Sequence, residues 1–298
     1  MTTTSRPGRL RRWLVGVAVL VGFMVAFNMF YVTDLRPDSL STETLSTEAA
    51  QRGRRLLAQA AERHGRGAWE SHSTLELVAT DTWLGLIAHT PFNPWSLSDQ
   101  RLRMLLLRGT WSSRVELLSG PDAGTVWGIQ SWNTYRAEPS GTPRFADDPT
   151  IQFYLPTYQY FIEAAFRLGT AEIVVDIGEV RDQGETYDRV FATWDSVEAH
   201  REHDQYIVWI NRGSGLIERF EYTVRDFGGV AAGATNYSDY RRIDGVMIPH
   251  RLSIRLVMPG GFESEAHVLE IESAAWDTVD EALLLPNREL ASEGQSKR

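Results

Sequence analysis

Along most of this chain, apolar and polar positions alternate. In Leu216 to Arg225, Phe220, Tyr222 and Val224 share one face, while Arg219, Glu221, Thr223 and Arg225 share the other. Val246, Ile248, Leu252, Ile254 and Leu256 alternate in the same way with Arg251, Ser253 and Arg255. A period of two is the signature of a strand with one buried face. Noisier runs at Ala68 to Thr80, Arg101 to Leu107, Ser113 to Leu118, Thr125 to Tyr135, Ala171 to Val180, Tyr187 to Trp194, Asp204 to Ile210, Ala234 to Arg242 and His267 to Ala275 bring the expectation to about eleven strands. Short turn signals such as Asn211-Arg212-Gly213-Ser214-Gly215 and Asp244-Gly245 predict antiparallel hairpins. No strand–helix–strand alternation occurs, which argues against a doubly wound nucleotide-binding fold.

The N-terminal part has a different period. Arg6, Arg9, Arg11 and Arg12 precede twenty uncharged residues, Trp13 to Val32, in which Asn28 is the one strongly polar side chain. As a helix this run would span ~30 Å, the thickness of the hydrocarbon core. Basic residues before it and Asp34 and Asp38 after it predict a cytoplasmic N-terminus and an external domain. A cleaved signal peptide is the competing reading, although the exit Asn28-Met29-Phe30-Tyr31-Val32 lacks a small-x-small site. The expected organisation is a cytoplasmic basic tail 1–12, a transmembrane anchor 13–32, a polar stalk 33–44, a β domain 45–276 and a polar tail 277–298. Thr47 to His64 opens the domain as an amphipathic helix, with Thr47 as N-cap and Gly65 after its end.

Two segments interrupt the strands. Thr82 to Trp95 is a Pro-punctuated loop, more apolar than a solvated connection. In Asp147 to Gly169, Pro156 to Leu168 predicts a short amphipathic helix. Each could cover one side of a sheet or simply close the core.

Composition narrows the function. The 298 residues include no cysteine, so disulfide frameworks, thiolate metal sites, Cys nucleophiles and an N-terminal lipid-modified Cys are excluded. Lys297 is the one lysine among 30 basic residues, and 39 acidic residues make the net charge −9, which speaks against a nucleic-acid partner. Past Val32 the balance is 26 basic to 39 acidic residues, a surface ill suited to anionic headgroups.

Catalytic patterns are weak. His200-Arg201-Glu202-His203-Asp204 is the densest ionisable cluster, but two histidines three apart before a strand lack the geometry of a His-Glu-x-x-His helix, so we expect a solvated turn and no metal. Gly228-Gly229-Val230-Ala231-Ala232-Gly233 lies between strands and opens no helix, and His250 after Pro249 has no evident acid or nucleophile beside it. There is neither a Gly-x-Ser-x-Gly elbow nor a phosphate-binding loop. We expect no cofactor and no enzyme activity.

Tyr206-Ile-Val-Trp-Ile-Asn211, the turn Gly213-Ser-Gly-Leu216 and Asn236-Tyr-Ser-Asp-Tyr-Arg-Arg-Ile-Asp-Gly-Val-Met-Ile-Pro-His-Arg251 together resemble the C-terminal half of outer-membrane lipoprotein-carrier proteins, the LolA/LolB-like superfamily that includes RseB-like regulators. The specific motifs cover residues 204–256, and a looser likeness extends over 45–276. The resemblance implies a mainly β (α+β) fold, a half-closed antiparallel β-barrel around an apolar cavity with a helical lid, here preceded by one transmembrane helix. Enclosing an acyl chain yields ~0.8 kcal/mol per methylene and needs no catalytic group. Candidate lining residues are Trp83, Leu86, Phe92, Trp95, Phe161, Phe166, Trp209, Phe220 and Tyr222. The implied role is a membrane-anchored periplasmic domain that binds a lipid or acylated ligand for reception, local transfer or sensing. The alternative is a protein-interaction or sensory module acting on an envelope protein partner. The shuttling members are soluble, so an anchor on this chain would exclude free ferrying between membranes.

Overall fold

The computed structural model describes residues 31–227, 229–257 and 262–290. The proposed anchor falls almost wholly outside them, and among the described residues no helix is long and apolar enough to cross a membrane. Two helices, α1 (Thr47–His64) and α2 (Arg66–Ser71), come first. Six strands follow: β1 (Thr74–Trp83), β2 (Asp99–Leu107), β3 (Ser112–Leu117), β4 (Val126–Gln130), β5 (Asn133–Ala137) and β6 (Arg144–Phe145). The long helix α3 (Pro149–Arg167) leads to β7 (Ile173–Asp182), β8 (Glu185–Thr193), β9 (Tyr206–Asn211), β10 (Ile217–Val224), β11 (Ala231–Ile243), β12 (Val246–Val257) and β13 (Glu263–Trp276).

These strands make one antiparallel sheet of 13 strands in the order β6-β5-β4-β3-β2-β1-β13-β12-β11-β10-β9-β8-β7. The sheet is open, with β6 and β7 as its edges, and it has 13 strands where about eleven were expected. Two hairpin meanders are joined where β1 pairs with β13. The α3 helix carries the chain from one edge to the other across the inner face.

Two of the strand differences have local causes. Thr125 to Tyr135 is two strands, because Ser131 (φ 47°) and Trp132 (φ 68°) form a tight turn. Such turns ordinarily show Asn-Gly, so the reversal is invisible in sequence. Residues 66–71, where the alternating run was expected to begin, form α2, with Trp69 stacked 4.6 Å from Phe166.

The helices also differ at their ends. The predicted span Thr47–His64 is correct, but Ser46 is the N-cap, accepting from the Ala49 amide. Gly65 ends the helix in the left-handed conformation, φ 92°. The α3 helix starts seven residues before Pro156, capped by Asp148 and with Pro149 in its first turn. Pro156 is tolerated because Ile151, Leu155, Tyr158 and Ile162 are buried on both sides of it, and packing outweighs the lost hydrogen bond.

The terminal segments of the domain are held to the sheet. Thr33 bonds to Gly229 and Val230, Leu35 N–H donates to Gln205 at 2.8 Å, and Arg36 pairs with Glu198, so the segment expected as a stalk lies along the domain. Leu284 is buried against Leu105 and Leu107, and Asn287 exchanges hydrogen bonds with Gln130. This anchors the start of the segment expected as a polar tail.

Helix α1 packs on β7 at a very close distance. A Cβ on Gly53 would meet Asp176 N at 2.7 Å and Val175 C at 2.8 Å, both backbone atoms. Gly53→Ala gains ~1 kcal/mol of helix propensity but overpacks against backbone, which costs ~1–3 kcal/mol. We expect a net loss in a urea titration. A variant as stable as wild type would show that the helix does not depend on this contact.

Candidate functional site

Strand β1 puts Leu75, Leu77, Ala79, Asp81 and Trp83 on its buried face. A carboxylate therefore stands in an apolar row, at 0% exposure. Its Oδ2 accepts from Trp83 Nε1 (2.8 Å), Trp95 Nε1 (2.7 Å) and Tyr158 Oη (2.6 Å), and its Oδ1 pairs with His267 Nδ1 at 2.7 Å. Trp83 stacks on the His267 ring at 4.2 Å. Burial penalises the charge of Asp81, but the charge of His267 and the hydrogen bonds from His267, Tyr158 and Trp95 outweigh it and hold the carboxyl below its ordinary range. One side chain thus fastens the 84–98 loop through Trp95 and helix α3 through Tyr158.

Beside this hub, α3 and the ends of β8, β9 and β10 line a half-open cavity of about 280 Å³. Its walls include Trp111, Trp132, Tyr160, Phe161, Trp194, Tyr206, Phe220 and Tyr222. The rings form a chain: Trp111 to Trp132 at 5.1 Å, Tyr160 to Tyr206 at 5.6 Å, Trp194 to Tyr206 at 5.8 Å and Tyr206 to Phe220 at 5.4 Å. The tight turn that holds Trp132 at positive φ presents this wall. Glu202, His203, Asp204 and Asp226 contribute polar lining. Burial raises the Asp204 carboxyl to about 6, against hydrogen bonds from Thr223 and the Arg225 amide that favour its charge. The α3 helix is fixed over the cavity by Gln159, which donates to Leu107 O and Thr110 O, and by Tyr237, which donates to Phe161 O.

Of the lining residues expected from sequence, Phe161, Phe220 and Tyr222 face the cavity. Trp83 and Trp95 are buried around Asp81 instead. Phe166 stacks on Trp69 beneath α1 and α2. Trp209 lies on the opposite face of β9, between the Arg189 and Arg219 guanidinium groups at 5.8 and 5.5 Å, because Val208 and Ile210 take the inward positions. Leu86 and Phe92 are 87% and 50% exposed, outside the cavity. Sequence reading missed Trp111, Trp132, Trp194 and Tyr206 as cavity residues, and it missed Asp81, whose signal was a lone acid on the apolar face of β1.

The His200 cluster lies between β8 and β9. His200, Glu202 and His203 bring ligand atoms within 4.8 Å of one another, an approach their spacing did not reveal. The Glu202 amide donates to His200 Nδ1 at 3.1 Å, so that nitrogen is engaged within the loop, and Glu202 is exposed.

The fold is shared with solved structures. A DUF1329-family protein from Desulfovibrio piger superposes with TM-score 0.51 at 11% identity, covering 79% of this chain and 97% of that one. A domain assigned provisionally to outer-membrane lipoprotein sorting, from Vibrio parahaemolyticus, gives 0.50 at 10% identity, covering 78% and 95%. A LolA-superfamily protein from Nitrosomonas europaea gives 0.47 at 14% identity, covering 79% and 97%. No family model and no curated protein matches the chain. The first two likenesses show a shared antiparallel-sheet fold, which is the fold that the resemblance of residues 204–256 implied.

Asp81→Asn removes the buried charge that Trp83, Trp95, Tyr158 and His267 surround, and losing hydrogen bonds to a charged group costs ~1.5–3 kcal/mol at neutral pH. Because the folded-state pKa is depressed, the carboxylate's contribution is present above the unfolded value of ~3.9 and disappears as pH falls through the folded value. The stability gap between variant and wild type should therefore narrow in denaturant titrations carried into that acid range, and a pH-independent gap would remove the charge from the account. For the His200 cluster, elemental analysis should find no stoichiometric zinc in wild type, and replacing both His200 and His203 by Ala should change stability by less than ~0.5 kcal/mol. Zinc present in wild type and lost in the double variant would overturn this.

Proposed function

We propose that the chain is a membrane-anchored envelope domain that encloses the apolar part of a lipid or acylated molecule between α3 and β8–β10. The observation that carries this reading is the aromatic cavity under helix α3. Its volume, about 280 Å³, lies just below the range for ligand sites, ~300–1,000 Å³, so it fits a single chain or ring system. The run Trp13–Val32 holds the domain at the cytoplasmic membrane with its N-terminus inside, suiting it to reception or local handover of the ligand. The Vibrio parahaemolyticus domain of the same fold, with its provisional role in lipoprotein sorting, supports this reading.

Binding of a fluorescent fatty acid by the purified protein tests it. An acid placed in the aromatic wall has no partner for its charge, so Trp194→Asp should abolish binding while the protein still unfolds cooperatively. Leu283→Asp, at an exposed site away from the cavity, should bind as wild type does. Wild type that takes up no apolar probe, or Trp194→Asp that binds unchanged, would refute an enclosed lipid.

A further inference from the structure

The chain joins the domain at one end of the sheet. Thr33 donates from its amide to Gly229 O and from its hydroxyl to Val230 O, both at 2.8 Å, which pins the residue after the apolar run to the β10–β11 connection. Register shows what else lies there. Ala232 pairs with Val257, and Val257 with Glu263, so the β10–β11 and β12–β13 connections project from the same end. Trp83 pairs with His267 and Leu84 N–H donates to Ala266 O, which brings the 84–98 loop alongside them.

This end is unusually apolar. Leu86 (87% exposed), Phe262 (70%), Phe92 (50%), Leu256 (38%) and Tyr31 (36%) all belong to it, five of the eight large hydrophobic side chains exposed among the described residues. Scattered apolar side chains need no explanation, but a concentration at one end does.

We propose that this end of the sheet rests on a lipid bilayer, with Leu86, Phe92 and Phe262 inserted into its interfacial layer. The proposal depends on reading Trp13–Val32 as the anchor, and the occupant follows from where that run meets the domain. Each extended residue spans at most ~3.6 Å, and Thr33 is already bonded to the sheet, so the non-helical Tyr31 and Val32 put at most ~7 Å of chain between the β10–β11 connection and the rest of the apolar run. The excess of acids beyond Val32 repels anionic headgroups, so the contact is apolar and insensitive to salt. Val224 and Asp226, at the close of β10 and just beyond it, line the cavity at this same end, which gives an acyl chain a short route from bilayer to cavity.

The absence of cysteine makes the test direct. Single variants Leu86→Cys, Phe262→Cys and, at the far end of β11 about 35 Å away, Arg242→Cys carry an environment-sensitive fluorophore in the full chain, reconstituted into phosphatidylcholine vesicles. Doxyl-labelled lipid should quench the probes at 86 and 262 by about twofold or more, equally in high salt, and leave 242 unchanged. Alkaline extraction of the same vesicles reports the anchor separately. A chain that resists extraction while its 86 and 262 probes stay in water overturns docking and keeps the anchor. Quenched probes on a chain that alkali strips off keep docking and overturn the anchor, and a chain that never associates overturns both. Quenching lost in high salt overturns the apolar contact.

Discussion

A carboxylate with no access to water must have its charge answered from within the protein, and much of this structure is arranged around that demand. Asp81 receives two indole N–H groups, a phenol and an imidazole. Its donors come from four places in the chain: β1 itself, the loop that follows it, α3 and β13. A buried charge deprived of a partner is costly, so the four segments are coupled: none can leave without exposing a penalty borne by the others. The same residue that secures the core therefore controls the two segments covering one side of the sheet.

The sheet's topology makes this coupling consequential. Pairing of β1 with β13 joins an N-terminal and a C-terminal meander at mid-sheet, and α3 must then span from β6 to β7 over the inner face. Asp81 sits on one of those two central strands, directly below the helix. On the β8–β10 side, the helix faces aromatic rings that leave a cavity between them. Dispersion and ring contacts supply an apolar environment there, while Glu202, Asp204 and Asp226 keep one part of the lining polar. The chain's N-terminal connection and the exposed Leu86 and Phe262 lie at the sheet end where β10 closes, so cavity, loop and N-terminal connection share one region.

Local pattern was sufficient for the strand-rich class, the span of the first helix and the antiparallel hairpins, because each depends on periodicity or on turn chemistry within a few residues. Phe161, Phe220 and Tyr222 were legible as cavity residues because their elements and inward faces were legible. Two strands were not: the Ser131-Trp132 turn carries no Gly or Asn, and β6 has two residues. Helix α3 was read too short because proline normally starts or stops a helix, and tertiary packing alone made Pro156 an interior residue.

What the tertiary structure decided was which apolar groups meet. An alternating pattern says that Trp209 and Val208 face opposite sides, but it does not say which side is the interior, and the sheet turned Trp209 outward between two arginines. An apolar loop can bury its side chains or expose them, and here Trp95 found a buried acceptor in Asp81 while Leu86 found none. The aromatic wall draws Trp111, Trp132, Trp194 and Tyr206 from separate turns and strand ends. Those residues are distant in sequence and obey no period, so their meeting depends on sheet order and on the path of α3. The sequence by itself determined the kind of surface each strand would offer; only long-range pairing, set by burial of the whole sheet and by the charge of Asp81, decided what those surfaces enclose.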